Sequence, residues 1–357
     1  MRKLWLDNLR WSTVLLVFLY HVCYLFNGVG VAGSIPDAPN LPIFDSLAGL
    51  VYPWFMVLLF CAAGMSARYA LETRTPRQFL RERARKLLVP STLGIFVLHW
   101  VTGYLNLKLA GVLELLPAPL VYPVAALSGI GPLWFLHLLF LYSLLLLLLR
   151  RTAAHRLLLR LGGSSPLLLP LLFFPLWLSS RLLNAPVITV YRFGIYGLSF
   201  FIGYCVLSHE GQLLFLKRHC LPLTALWAVC GVLYFLRWNG ANFTDSSCLE
   251  SWQTNLYLWS AVLALLGLFQ RYCDRSGPVC RRMTSMSFGI YVLHYPALLW
   301  VCYVLARRFA LPPWADYLLA PVLGGALTAA LYALVRRVPI LGYPVLGIPR
   351  RGARRPA

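Results

Sequence analysis

Apolar residues in this chain come in long unbroken runs, not in the alternation of half-buried strands or the one-sided stripes of soluble helices. Such runs, roughly 17–25 residues long and nearly free of charge, are each long enough to cross a bilayer as a helix. The pattern predicts helices at 11–28, 46–66, 87–107, 131–149, 165–182, 188–207, 219–236, 252–270, 287–306 and 317–335. The expected architecture is therefore all-α: a polytopic integral membrane protein of about ten transmembrane helices. Stretches at 29–45, 108–130 and 237–251 are richer in Gly, Pro, Asn, Asp and Ser, and are expected to be turns and open loops. The run at 165–182 holds Pro166, Pro170 and Pro175, each of which removes a backbone donor and kinks a helix.

Composition agrees with this pattern. The 357 residues are 60% hydrophobic and 12% charged, against about 25% charged in a soluble domain. The net charge of +21 would suggest nucleic acid as the partner of a soluble protein, but here its distribution argues for a lipid bilayer instead. With the helices placed as above, 26 of the Lys and Arg residues fall on the side of the N terminus and 6 on the other. Cationic loops stay in the cytoplasm, so both termini are expected there. The first run is too long for a signal peptide and reads as an uncleaved anchor. One membrane domain is expected over 1–336, followed by a poorly ordered basic Pro/Gly/Arg-rich cytoplasmic tail at 337–357. Residues 67–86 can form an amphipathic surface helix, with Leu71, Phe79 and Leu80 toward lipid. The nine cysteines are scattered, with no CxxC spacing, so neither a disulfide framework nor a metal site is expected.

Arg10 and His21 are the most informative residues, because an ionisable group inside a membrane span is costly. Eleven positions at 100° each bring both side chains within about 20° of one another, some 16 Å apart along one helix face. A cation at one rim and an imidazole partway across suit a long anionic ligand with its reactive end in the middle. Neutral imidazole can act as general base toward a hydroxyl attacking an ester or thioester. A packed histidine bonded to a backbone carbonyl would also account for His21. Arg10 can snorkel to headgroups, or be held by Asp7 as a preset anion site. Arg81, Arg83, Arg85 and Lys86 lead into the third run; they serve as a topology anchor, and some of them can also clamp phosphate. A second intramembrane histidine, His294, ends the segment Ser287-Phe288-Gly289-Ile290-Tyr291-Val292-Leu293-His294, with Tyr291 on its face. Trp134 and His137 open the fourth run; His137 and His294 have core hydrogen bonding as an alternative role.

These segments together resemble the acyltransferase type 3 family of bacterial membrane proteins. The likeness rests on LDNLR with its Arg-x10-His spacing, and on Phe60-Cys61-Ala62-Ala63-Gly64, where Ala63 replaces the usual Ser. It also rests on Arg83-Ala84-Arg85-Lys86 before Pro90 (Lys86 for the second Arg), on Leu133-Trp134-Phe135-Leu136, and on the late element at 287–294. RTPRQFLRERARKLLVP and GPLWFLHLLFLYSLLL look closest to members that decorate osmoregulated periplasmic glucans, although Pro132 and His137 depart from the usual residues around LWFL. The resemblance implies an inner-membrane O-acyltransferase that moves an acyl group, acetyl or succinyl, from cytoplasmic acyl-CoA to an extracytoplasmic carbohydrate or lipid-linked glycan. In that reading His21 is the base. Arg10, Arg83, Arg85 and Lys86 lie on the donor side, with Asp7 beside Arg10. Trp134 faces the acceptor sugar, His137 belongs to the supporting pocket, and Tyr291 or His294 supports the thioester oxyanion. A glycan or lipid transporter without acyl transfer is the competing expectation, opposed by the lack of internal repeats.

Overall fold

The computed structural model describes residues 3–186 and 190–348, and in these the fold is almost wholly helical. In chain order the helices are α1 (Leu4–Leu25), α2 (Pro42–Thr73), α3 (Pro76–Leu109), α4 (Ala118–Ser128), α5 (Gly131–Leu149), α6 (Ala153–Gly162) and α7 (Leu168–Ser179). A two-stranded antiparallel hairpin, β1 (Asn184–Pro186) with β2 (Val190–Arg192), pairs Asn184 with Arg192. Then follow α8 (Phe193–Leu207), α9 (Glu210–Arg218), α10 (Cys220–Trp238), α11 (Trp252–Tyr272), α12 (Pro278–Arg308), α13 (Pro313–Arg337) and α14 (Pro339–Leu346).

Six of these are long and apolar enough to cross a membrane: α2, α3, α5, α10, α12 and α13. Helices α1 and α11 have the length but carry more polar residues, among them Asn8, Arg10 and His21 in α1. Helix α7, which holds Pro170 and Pro175, spans 12 residues, about 18 Å. Helix α8 is also short.

Helix α1 lies at the centre, against α2, α11, α12 and α13. Its N-terminal turn is fastened to the segment after α11: Trp5 N donates to Asp274 Oδ1 (3.1 Å), and Asn8 Nδ2 donates to the carbonyls of Cys273 and Arg275. Helices α2 and α8 cross with their backbones in contact. A Cβ on Gly64 would collide with the carbonyl of Phe200, and one on Gly203 with that of Cys61. The Phe-Cys-Ala-Ala-Gly segment is thus a crossing point, where only glycine lets two helices approach so closely. By contrast α10 and α13 keep most of their apolar surface outward, with Val229, Leu236 and Val322 all exposed, as helices facing lipid would.

Three expectations are corrected. The stretch 108–130 is not open loop: α4 packs on α3, where Gly129 and Gly103 admit the neighbouring backbone. The surface helix expected over 67–86 is split, because α2 continues to Thr73 and Thr75 then caps α3 through a reciprocal bond with Gln78. Part of the basic tail is ordered, since α14 packs against the Val89–Gly94 part of α3 and buries Val345 and Leu346; residues 349–357 lie outside the described residues. Helix α3 also contains two π-helical turns, Ala84–Leu88 and Ile95–His99. The first lies just before Pro90, whose ring would clash with the carbonyl four residues back in a regular α-helix.

Candidate active site

The packing of α1 on α12 brings His21 and His294 together. His21 Nδ1 lies 2.7 Å from the carbonyl of Val17, one turn earlier, and 3.2 Å from His294 Nε2. His294 Nδ1 lies 2.7 Å from the carbonyl of Tyr291 and 3.2 Å from that of Ile290. A carbonyl only accepts, so the bonding assigns a proton to Nδ1 of each ring. His294 Nε2 is then an acceptor, and His21 Nδ1–H is shared between it and Val17. His21 Nε2 keeps its lone pair and is not among the buried polar atoms lacking a partner, so it is reachable from the cavity that its ring lines. Tyr20 and Tyr295 stand edge-on to the His21 ring, at 5.3 and 5.0 Å between centroids, and hold its plane.

That cavity encloses about 870 Å³ of empty space, its open mouth included. Its rim is made by Gly33, Asn106, Ser128 and Tyr191, at the end of the bundle opposite the N terminus of α1. Its wall is phenolic: Tyr20, Tyr24, Tyr52, Tyr191, Tyr196, Tyr291 and Tyr295 all line it. Trp134 stacks on Tyr196 at 5.3 Å and meets Tyr191 at 5.5 Å. Two hydroxyls are committed: Tyr24 donates to Ala32 O (2.6 Å) and Tyr291 to Pro132 O (2.5 Å). Those of Tyr20, Tyr52, Tyr191, Tyr196 and Tyr295 have no hydrogen-bond partner among the described residues. A pocket combining flat aromatic faces with unspent hydroxyls can hold a polyol by stacking and hydrogen bonding.

The other expected residues are distributed as follows. Tyr291 is on the wall, but its only proton is given to Pro132, and His294 stands behind His21 off the lining. Neither therefore offers a donor to the cavity in this structure. His137 is half-buried and does not line the cavity. Arg10 is exposed and bonded to Asp7 Oδ1 (3.3 Å) and Ser66 Oγ (3.2 Å). The cavity reaches down α1 as far as Val17 and stops about 10 Å short of Arg10, with Thr13 buried between. Arg83 lies over the Phe79 ring at 5.0 Å and close enough to Arg10 for their charges to repel. Lys86 and Arg74 both pair with Glu82 at 2.8 Å, while the buried Nε of Arg85 has no hydrogen bond among the described residues. The cations thus gather at one end of the bundle, and the histidine cavity opens at the other.

Sequence reasoning passed over His99 and the cavity tyrosines other than Tyr291. Tyr20 and Tyr24 flank His21 on α1, and Tyr295 follows His294, so adjacency was an available signal for those three. His99 had none. It is completely buried at the end of the second π-helical turn, where its Nε2–H donates to Val292 O (2.8 Å), inside the α12 segment bearing Tyr291 and His294.

The structure thus defines a helical protein with spans for a membrane and a tyrosine-lined cavity that one histidine, His21, borders. Residues 3–336 match the family model described as "Acyltransferase domain", and the chain belongs to that acyltransferase family. The match is to the family as a whole and singles out no subgroup within it. No curated protein and no solved structure gives a significant match.

Proposed function

We propose that this membrane acyltransferase moves an acetyl or succinyl group from cytoplasmic acyl-CoA to a hydroxyl of an extracytoplasmic carbohydrate or lipid-linked glycan. The observation that carries the reading is His21: its tautomer is set by Val17 and His294, and its Nε2 lone pair is exposed to a tyrosine-lined cavity. His21 Nε2 takes the proton of the acceptor hydroxyl as its oxygen attacks the thioester carbonyl. The C–S bond then breaks, and the imidazolium returns the proton to the departing thiolate, giving ester and free CoA. His294 Nε2 accepts from His21 Nδ1 throughout and steadies the cationic ring. Tyr20 and Tyr295, beside His21 with uncommitted hydroxyls, are the donors we assign to the thioester oxyanion.

Arg10, Arg83, Arg85 and Lys86 form the donor side. A pantetheine arm running from them toward His21 requires the α1 face between Arg10 and Val17 to open by side-chain movement. Trp134 and the free phenols hold the sugar. In this reading α1, α7, α8 and α11 complete ten crossings of the inner membrane, and both termini are cytoplasmic, as the Lys and Arg distribution requires. The test is release of free CoA thiol from acetyl-CoA and succinyl-CoA in proteoliposomes, with and without a glycan extract. Acceptor-dependent release, with acyl ester on the glycan by mass spectrometry, is expected. Glycan movement across the bilayer without thiol release would instead establish a transporter.

A further inference from the structure

A second polar cluster lies at the opposite end of the molecule from the cavity, among α2, α5, α6 and the α8–α9 connection. It contains Arg68 of α2, Arg150 at the end of α5, His155 of α6 and His209 just before α9. Tyr204 is its buried floor: His155 Nε2 lies 3.3 Å from the Tyr204 hydroxyl, and the Arg68 guanidinium is 5.6 Å from the ring centroid. His209 packs against Gly163, where a Cβ would stand 3.0 Å from its Nδ1. The charges do not cancel. Arg68 has the half-exposed Glu72 at 3.5 Å, while Glu210, at the edge, is 86% exposed and turns to Lys3. Arg150 Nη1 and His209 Nε2 are buried and have no hydrogen-bond partner among the described residues. Burial, with Arg150 and Arg68 alongside, pushes the basicity of His155 down; burial and Arg68 do the same to His209, against a bond to the Cys205 carbonyl. Four basic groups thus crowd together, with Arg150 Nη1 unspent among the described residues and two imidazoles whose protonation a neighbouring anion would favour.

The position of the cluster narrows the anion. Helix α6 is amphipathic, with Leu157 and Leu161 more than half exposed, and Gly162 set directly against the carbonyl of Cys205. A short basic helix with leucines facing out is an interfacial element, lying at the depth of lipid phosphates. Arginine recognises phosphate oxygens by paired charge-assisted bonds, and imidazole adds a further donor.

We infer that Arg68, Arg150, His155 and His209 form a binding site for a phosphate group, carried either by an anionic lipid headgroup or by a soluble phosphomonoester. The site stands apart from His21 and does not depend on the acyl-transfer reading. Its test uses the full chain in maltoside micelles, which contain no phosphate, with two probes: phosphatidylglycerol by native mass spectrometry, and adenosine 3′,5′-bisphosphate by equilibrium binding. At least one probe is expected to bind, about tenfold or more weaker in an R68Q/R150Q double variant. Lipid alone binding identifies a headgroup; bisphosphate alone identifies a soluble phosphomonoester; mutual competition shows a shared phosphate. Binding by neither probe, or equal binding by wild type and the double variant, overturns the site. If the double variant does not fold, hydrogen exchange on the wild type decides. Protection by the bound probe at 150–163 and 204–212 supports the inference, and protection elsewhere or none refutes it.

Discussion

His294 Nε2 stands 3.2 Å from His21 Nδ1, joining residues 273 positions apart in the chain. Because His294 gives its own Nδ1–H to Tyr291 O, the pair can be bonded in only one sense, with His21 as donor and its second nitrogen turned to the cavity. In serine proteases a carboxylate fixes the tautomer of a histidine in this way; here a second imidazole is the acceptor.

His21→Ala is expected to lower acceptor-dependent CoA release by about 10²–10⁴-fold, the usual contribution of a general base, with the helical circular dichroism spectrum unchanged. Turnover within a few-fold of wild type would remove His21 from the reaction.

At His294 the replacement should matter more than the deletion of bulk. Gln offers a carbonyl oxygen that can accept from His21 Nδ1, whereas Ala offers nothing. H294Q should therefore retain more kcat than H294A, with KM for both substrates little changed. Equal losses in the two variants, or a change confined to KM, would reduce His294 to a packing residue.

The free phenols make a separate prediction. Tyr196→Phe and Tyr52→Phe keep the aromatic wall and remove one hydroxyl each. A lost hydrogen bond of about 0.5–1.5 kcal/mol predicts a roughly two- to twelve-fold rise in acceptor KM, leaving KM for acyl-CoA unaltered. Initial-rate kinetics at varied acceptor and fixed donor read the difference.

Arg10→Gln is expected to act on the other substrate. It removes the cation bonded to Asp7 and Ser66, and should raise the apparent KM for acyl-CoA about tenfold or more, as the loss of a charge-assisted contact does. An unchanged KM would take Arg10 out of the donor site.

Gly64→Val tests the fold rather than the chemistry. Its side chain would meet the backbone of α8 at Phe200 and Tyr204, which cannot swing aside as a flexible side chain would. Overpacking of this kind costs about 1–3 kcal/mol or more. The thermal midpoint in maltoside should fall, and Ala63→Ser, one position earlier, should leave it near wild type.

The closed floor of the cavity below Val17 was not legible in the sequence. Helical phase puts Arg10 and His21 on one face of α1, and that much is geometry of a single element. Whether one cavity serves both depends on what α2 and α12 present there, and Ser66 engages Arg10 while Thr13 is packed over. Helix α4 and the ordered start of the tail escaped for a related reason: proline-rich segments read as breaks, yet Pro117 precedes α4 and Pro339 opens α14, where a missing N–H is harmless.

The sequence by itself determined that the chain is a bundle of membrane helices, that two ionisable residues share the first of them, and that its motifs are those of an acyltransferase family. Those are properties of composition, of spacing along one helix, and of short contiguous segments. Only the tertiary structure decided that His294 orients His21, that buried His99 holds the same stretch of α12, and that tyrosines from five separate elements make one wall. In a soluble helix the apolar stripe points inward and foretells its neighbours. A membrane helix is apolar on every side, because lipid is as apolar as the core. Its pattern therefore cannot tell which face meets protein, and that choice falls to the close packing of residues distant in sequence, such as Gly64 against Phe200.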